Sequence, residues 1–379
     1  MTYTVLARRY RSRDFDELVG QEAIARTLCN AIEQDRVAHA YLFVGTRGVG
    51  KTSLARIFAK AINGGSDEVD EAIMTGQDTD VIEIDAASNR KVEDARELIA
   101  NCVYRPLRGK KKIYIIDEVH MLTKDAFNTL LKVMEEPPEH VMFILCTTEP
   151  NKVLPTIQSR CQRFDFRNLS TREIAEHLRH VTGNENVTVD DEVLQAVARL
   201  GNGSMRDALS LLDRLMAATT QGESMSVDLL ERVLGLPPRE RLVKLVDALA
   251  DADAARALEA TDAMLTHGVD IETLLSSLAE RFRDLMVLGV CGEATELVEL
   301  AGESRDIAAA QARKFDEAGL LHMIALCESV QRAARSSSTP RALLDAAIAR
   351  LAMTEKIADV AVLLEQKPVA SRGSPAKKG

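Results

Sequence analysis

The chain has 379 residues, 46% of them hydrophobic and 28% charged, with a formal net charge of −10. This composition describes an ordinary soluble globular protein of two or three domains and excludes fibrous and membrane-spanning classes. The acidic balance also excludes a protein that coats nucleic acid with its whole surface, so any phosphate contact must use a local basic patch.

The first segment, MTYTVLARRYRSRDF, is charged and has no apolar core of a secretory leader. No apolar run approaches the ~18 residues of a membrane span, and a cytoplasmic protein is expected. Six cysteines (Cys29, Cys102, Cys146, Cys161, Cys291 and Cys327) lie far apart with no CxxC pair. That spacing argues against zinc or a disulfide framework.

Short aliphatic runs at 40–44 (AYLFV), 81–84 (VIEI), 112–116 (KIYII) and 141–147 (VMFILCT) alternate with helical patterns. The alternation predicts parallel strands with crossover helices, an α/β sheet covered on both faces. The acidic interval between Ala61 and Val81 holds a short helix at 66–75. A clear helix is expected at 124–135, with Thr123 as N-cap and Phe127, Leu130, Leu131 and Met134 as its apolar stripe. After Asn168 the strand pattern stops. Ser170 to Glu173 is a capping-box signature, and helices follow at about 190–200 and 204–218. Gly235-Leu-Pro-Pro238 reads as a linker, 239–365 as helical throughout, and the Pro/Gly/Ser/Lys-rich tail as disordered.

Gly45-Thr46-Arg47-Gly48-Val49-Gly50-Lys51-Thr52 fits GxxxxGK[ST] between a predicted strand and a predicted helix. In that setting backbone N–H groups curl around phosphate oxygens and the helix N-terminus adds positive potential. Lys51 would reach the β/γ-phosphates and Thr52 would help to hold Mg²⁺. Asp117 and Glu118 follow four apolar residues, at the carboxyl end of a buried strand, where open α/β sheets put their ligands. Asp117 suits Mg²⁺ and Glu118 suits orientation of an attacking water. Hydrolysis also needs a cation at the γ-phosphate, and Arg160, Arg163 and Arg206 are the candidates. Beside Arg160 stands Cys161, which raises the question of a nucleophilic thiol. No histidine is near it in sequence, so a packing role is expected.

Together VLARRYRSRDFDELVGQE, HAYLFVGTRGVGKTSLAR, IEIDAASNRKVEDAR, IYIIDEVHMLTKDAFNTLLKVMEEPPEHVMFIL, Ser159-Arg160-Cys161 and GSMRDALSLLD resemble the clamp-loader branch of the AAA+ ATPases, narrowly its bacterial gamma/tau family. The resemblance is strong over the first ~235 residues and weak beyond them. It implies a P-loop domain with a parallel five-stranded sheet (1–168), a small all-α lid (169–236), an all-α collar for oligomerisation (237–365) and a tail (366–379). It gives Ala7, Arg11, Val19 and Gly20 to the adenine pocket, and the loop from Gly45 to Thr52 with Ser53 to the phosphates. Asp117 and Glu118 become the Walker B pair. Thr148 falls at sensor 1, with Thr147 as the alternative, and Arg206 at sensor 2. Arg160 becomes a finger in a neighbouring subunit's site. Arg90, Lys91 and Arg96 would follow template-strand phosphates, although interleaved acids also fit a solvated face. The basic run Arg108 to Lys112 is a second candidate, or an ordinary turn.

The implied function is the ATPase motor of a replicative clamp loader within a polymerase holoenzyme, though not the polymerase itself. The implied cofactors are ATP and Mg²⁺. The implied partners are delta- and delta-prime-like subunits, further copies of the chain, a sliding clamp and primed DNA, with no membrane. Single-strand-binding and polymerase subunits would be reached through a region beyond this C-terminus. One departure stands out. The four-cysteine zinc module usual after the P-loop helix is missing, since 61–81 contains no cysteine, and zinc is not expected. Alternative readings are another oligomeric AAA+ DNA-remodelling motor and a non-hydrolysing nucleotide-binding scaffold.

Overall fold

A computed structural model describes residues 4–88, 102–219, 224–298, 300 and 302–353. The chain forms two compact units, Met1–Val227 and Asp228–Gly379.

In the first unit a short helix α1 (Leu6–Arg9) and α2 (Glu22–Glu33) lead into β1 (Ala40–Val44). There follow α3 (Lys51–Asn63), α4 (Asp67–Thr75), β2 (Val81–Asp85), β3 (Lys112–Asp117), α5 (Lys124–Glu135), β4 (Val141–Thr147), α6 (Pro155–Gln158) and β5 (Gln162–Asp165). All strand pairs are parallel, in the order β2-β3-β4-β1-β5. Side chains alternate between the two faces, as a pleated strand requires. Tyr41, Phe43, Ile113, Ile115, Met142 and Ile144 pack on one face with α2 and α3, whereas Leu42, Tyr114, Ile116, Phe143 and Leu145 pack on the other with α5. Both faces are therefore dry, and the loops at the carboxyl ends are left to carry the site.

Four strands match the apolar runs in the sequence. The fifth, β5, is a short edge strand with mostly exposed side chains, so it has no apolar run to read. α4 begins where the acidic interval predicts, with the Ser66 hydroxyl accepting from the Val69 N–H. Thr123 caps α5 by accepting from the Ala126 N–H at 3.3 Å. The same unit ends in a three-helix lid of α7 (Thr171–Asn184), α8 (Asp191–Leu200) and α9 (Met205–Ala218). The capping box opens α7, with Ser170 and Glu173 satisfying each other's backbone N–H.

The second unit is helical: α10, whose span Val227–Leu234 crosses the unit boundary, then α11 (Arg239–Ala250), α12 (Ala254–Thr266), α13 (Ile271–Cys291), α14 (Glu303–Ala312), α15 (Glu317–Ala334) and α16 (Pro340–Ala352). Leu245, Leu249, Leu274, Leu278, Phe282, Leu285, Met323 and Ile348 form its core. The sequence predicts helix throughout 239–365, but among the described residues between Cys291 and Glu303 the chain is not helical. α13 stops at Gly292, whose φ of 83° cannot continue a helix. Arg305 then gathers the turns that follow by donating to the carbonyls of Glu293 (2.8 Å) and Val298 (2.9 Å). Residues 354–365 lie outside the described residues.

Candidate active site

The P-loop connects β1 to α3. Gly48 and Gly50 hold left-handed backbone, at φ 78° and 99°. Gly48 also admits the lid: a Cβ there would stand 1.9 Å from Ser204 Oγ, and the Met205 N–H donates to the Gly48 carbonyl at 3.1 Å. This close approach brings the first turn of α9, and with it Arg206, onto the loop.

A cavity of about 450 Å³ opens here. Its wall includes Ala7, Arg11, Val19, Arg47, Gly48, Val49, Gly50, Lys51, Thr52, Ser53, Asp117, Glu118 and Arg206. Thirteen residues expected from the sequence thus meet in one place. Lys51 is buried, and burial pushes its ammonium below the ordinary lysine value. Its Nζ donates to the carbonyls of Gly45 (2.8 Å) and Thr46 (2.7 Å). Burial and the nearby Arg56 lower Arg11 as well.

Three strand ends meet on the opposite wall. The order β1-β4-β3 puts the carboxyl end of β4 between the P-loop and Asp117. The Thr52 hydroxyl donates to Asp117 Oδ2 at 2.7 Å, and the Glu118 N–H donates to Asp117 Oδ1 at 2.9 Å. Glu118 itself has φ 48°, a costly conformation for a non-glycine residue. Its carboxylate accepts from the Thr148 hydroxyl at 3.2 Å. Thr147, fully buried, instead accepts from the Glu149 N–H at 3.0 Å and stands 3.0 Å from His120 Nδ1. His120 lies 3.4 Å from both Glu118 and Glu149, so it bridges the two carboxylates.

A hydroxyl and a carboxylate side by side, with room for phosphate and water, suit Mg²⁺, which is held by few protein oxygens. Thr52 and Asp117 fit that description. Among the described residues no cluster of three His, Cys, Asp or Glu side chains marks any other metal site.

Some expected residues are not in the wall. Gly45 and Thr46 stand behind it, because their carbonyls hold Lys51. Gly20 is buried against Leu169 instead, whose Cδ2 lies 2.4 Å from where a Cβ would be. Thr148 is not in the wall either, and its hydroxyl meets Glu118, which is. Arg160 does not line it: the guanidinium donates to the Thr156 carbonyl at 2.7 Å and to Glu135 at 2.8 Å. Arg163 pairs with Asp165. Cys161 packs beneath the second sheet face and burial pushes its thiol up to about 12, so it holds no thiolate for attack. Arg90, Lys91 and Arg96 lie outside the described residues. The Arg108–Lys112 run is a pinned turn. Asp80 accepts the N–H groups of Leu107, Arg108 and Gly109 at 2.7, 2.7 and 2.9 Å, and Asn63 accepts that of Lys111 at 2.9 Å.

Nine wall residues escaped the sequence reading, Asp85 and His177 among them. Asp85 ends β2 in register with Asp117, so the strand-end argument that found Asp117 would have found it. His177 reaches the cavity from α7, and no local pattern announces it.

Three family models match consecutive segments: DNA polymerase III, delta subunit, over residues 20–170; DNA polymerase III clamp loader subunit, ATPase lid domain, over 173–221; and DNA polymerase III subunits gamma and tau domain III over 225–366. Among solved structures, the Thermotoga maritima RuvB Holliday junction branch migration motor is similar at a TM-score of 0.48 and 20% identity, over 63% of this chain and 79% of that one. The chain is 43% identical over 285 residues to DNA polymerase III subunit tau of Escherichia coli, covering 73% of this chain and 44% of that protein. It therefore spans less than half of that relative. It is 35% identical over 297 residues to DNA polymerase III subunit gamma of Buchnera aphidicola subsp. Schizaphis graminum, covering 76% of this chain and 81% of that one. The chain belongs to the DNA polymerase III gamma/tau family.

Proposed function

We propose that this chain is an ATP-hydrolysing motor subunit of a replicative clamp loader. One observation carries the proposal. The P-loop, the Asp117–Glu118 pair and Arg206 open onto a single cavity, while Arg160 is held outside it.

The turn from Gly48 to Thr52 offers backbone N–H groups to phosphate oxygens at the start of α3. Lys51 exchanges its two carbonyl partners for the β/γ-phosphates, and burial makes that charge-assisted contact stronger. Thr52 and Asp117 would hold Mg²⁺, which would neutralise charge on the phosphates. Glu118 orients the attacking water, and Thr148 holds the Glu118 carboxylate. Arg206 brings the lid to the nucleotide, so that the lid's pose depends on what is bound. Arg160 serves the ATP site of a neighbouring subunit, and each chain's own site is incomplete alone.

The partners on this reading are delta- and delta-prime-like subunits, further copies of the chain, a sliding clamp and primed DNA, in the cytoplasm. Arg90, Lys91 and Arg96 contact phosphates in a sequence-independent, salt-sensitive manner. Domains at 1–168, 169–236 and 237–365 act as motor, lid and collar.

The test is steady-state ATP turnover of wild type and Arg160→Ala, alone and with clamp, companion subunits and primed DNA. Turnover should rise with clamp and DNA and collapse in the variant while ATP binding persists. Turnover indifferent to DNA and to Arg160 would refute the proposal.

A further inference from the structure

On the ATPase reading, Glu118 must hold its carboxylate still while it orients a water. Its φ of 48° is one that few side chains adopt, so local structure has to keep it there. Directly after it comes a single 3₁₀ turn, Val119–Met121, whose Met121 N–H donates to the Glu118 carbonyl at 2.8 Å. That turn brings the His120 ring back to the Glu118 side chain. The ring is almost wholly buried. An apolar side chain would fill such a space without needing polar partners, so the contacts of the two ring nitrogens carry the meaning.

Nδ1 stands 3.0 Å from Thr147 Oγ1 and 3.4 Å from Glu118 Oε2, and Nε2 stands 3.4 Å from Glu149 Oε1. The two carboxylates are not equal. Lys152 Nζ pairs with Glu149 at 2.8 Å, and the Glu149 side chain is 46% exposed, so lysine and solvent screen its charge. Glu118 is 30% exposed, and no lysine or arginine pairs with it among the described residues. The stronger pull on a ring proton is therefore at Nδ1, and this fixes the tautomer. Thr147 Oγ1 can accept that N–H, because a hydroxyl oxygen has two lone pairs and the Glu149 N–H, at 3.0 Å, takes one. The same N–H dipole faces Glu118 Oε2, the oxygen that also accepts from the Thr148 hydroxyl at 3.2 Å. Among the described residues no hydrogen bond reaches Oε1. One carboxylate oxygen is held from two sides, and the other is left for the water.

We propose that His120 is a positioning residue for ATP hydrolysis, which holds the Glu118 carboxylate by Oε2 so that Oε1 meets the attacking water. This inference rests on the ATPase reading above and deepens it. The ring itself is not in the cavity wall, so His120 should matter for turnover and not for binding of ATP.

The test uses loaders reconstituted from the full chain with clamp, companion subunits and primed DNA. Turnover, KM and ATP affinity are measured for wild type, His120→Leu, His120→Asn and His120→Gln, with thermal melting alongside. His120→Leu should lower kcat by about tenfold, the scale of one lost contact to a charged group, with ATP affinity within about twofold of wild type. Asn places its amide where Nδ1 stands and should keep kcat within about threefold, whereas Gln places it nearer Nε2 and should lose as much as Leu. In a Glu118→Ala background, His120→Leu should slow single-turnover hydrolysis no further, because the group it positions is gone. The inference is overturned if His120→Leu turns over like wild type, or if ATP affinity falls in step with kcat. It is equally overturned if Asn loses as much as Leu, or if His120→Leu costs as much in the Glu118→Ala background as in wild type. Should His120→Leu not fold, the Asn and Gln variants decide, and equal kcat for those two overturns the inference. A wild-type loader that hydrolyses no ATP overturns the ATPase reading and this inference together. Wild-type hydrolysis that is indifferent to every His120 variant overturns the inference alone.

Discussion

The two units use similar physical means for different ends. Both bury aliphatic side chains in continuous cores, and both are capped and ion-paired in ordinary ways. In Met1–Val227 the core is a sheet whose strand ends converge, so polar residues at those ends gather into one cavity. In Asp228–Gly379 the helices pack side by side, and their buried polar groups serve each other. Gln311 is the clearest case: it accepts from Arg281 Nη2 at 2.6 Å and donates to the Val243 carbonyl at 3.1 Å. Chemistry needs named residues at fixed points, while helix packing needs only a pattern. That is why the first unit announces its role and the second announces only that it folds.

The contrast can be broken at several points. Lys51→Ala should abolish measurable ATP turnover, a loss of at least about 10²-fold, with the melting temperature nearly unchanged. A comparable drop in stability would show that Lys51 is there for packing. Phe282→Ala should do the reverse. Phe282 is fully buried and meets Phe315 edge-on, at 6.3 Å between ring centroids. Its truncation should cost about 3–5 kcal/mol in denaturant unfolding of the second unit. ATP affinity measured below the transition should not move. If affinity falls with stability, the two units do not act separately.

Asp80→Ala probes the first unit's scaffold. Burial raises this carboxyl, but three backbone N–H donors from Gly109, Leu107 and Arg108 outweigh it and leave it below the ordinary value. Losing those bonds should cost about 1–3 kcal/mol, read by chemical denaturation. ATP affinity should survive, because the pinned turn is not in the cavity wall. The smallest effect is expected from Glu173→Gln. The Arg167 guanidinium, outweighing burial and helped by Ser170, holds Glu173 down at about 2. A depressed carboxyl stabilises above its unfolded value and loses that contribution as pH falls through the folded one. The variant should therefore be less stable by roughly 0.5–1 kcal/mol at pH 7. That gap should close between about pH 4 and about pH 2. A gap that stays constant with pH would mean that charge is not what Glu173 contributes.

Much of the first unit was legible in the sequence. The three central strands, β1, β3 and β4, are apolar runs because both sheet faces are covered, and β2, at one edge, is an apolar run only partly buried. β5 was not legible, because a short edge strand with exposed Gln162, Arg163 and Asp165 carries no such run. The P-loop and Asp117 could be read because spacing fixes their position. His177 and His120 could not, because only tertiary packing brings a helical histidine to a cavity or sets another between Glu118 and Glu149. The break after α13 was hidden in an Ala/Leu-rich stretch, where Gly289 lies inside the helix and Gly292, three residues on, ends it. The legible features were set by chain-local rules, whereas β5, His120 and His177 depend on neighbours distant in sequence.

Subunit mixing tests the central claim most directly. That claim is that this cavity is an ATP site completed by Arg160 of another chain. Loaders would be reconstituted from Arg160→Ala chains, from Glu118→Gln chains and from an equal mixture, and DNA-stimulated ATP turnover would be measured. Each variant alone should be nearly inactive. The mixture should recover turnover, because an intact Arg160 on one chain can face an intact Glu118 on the next. A mixture as inactive as its parts would contradict the account, since it would place Arg160 and Glu118 in service of the same chain's site.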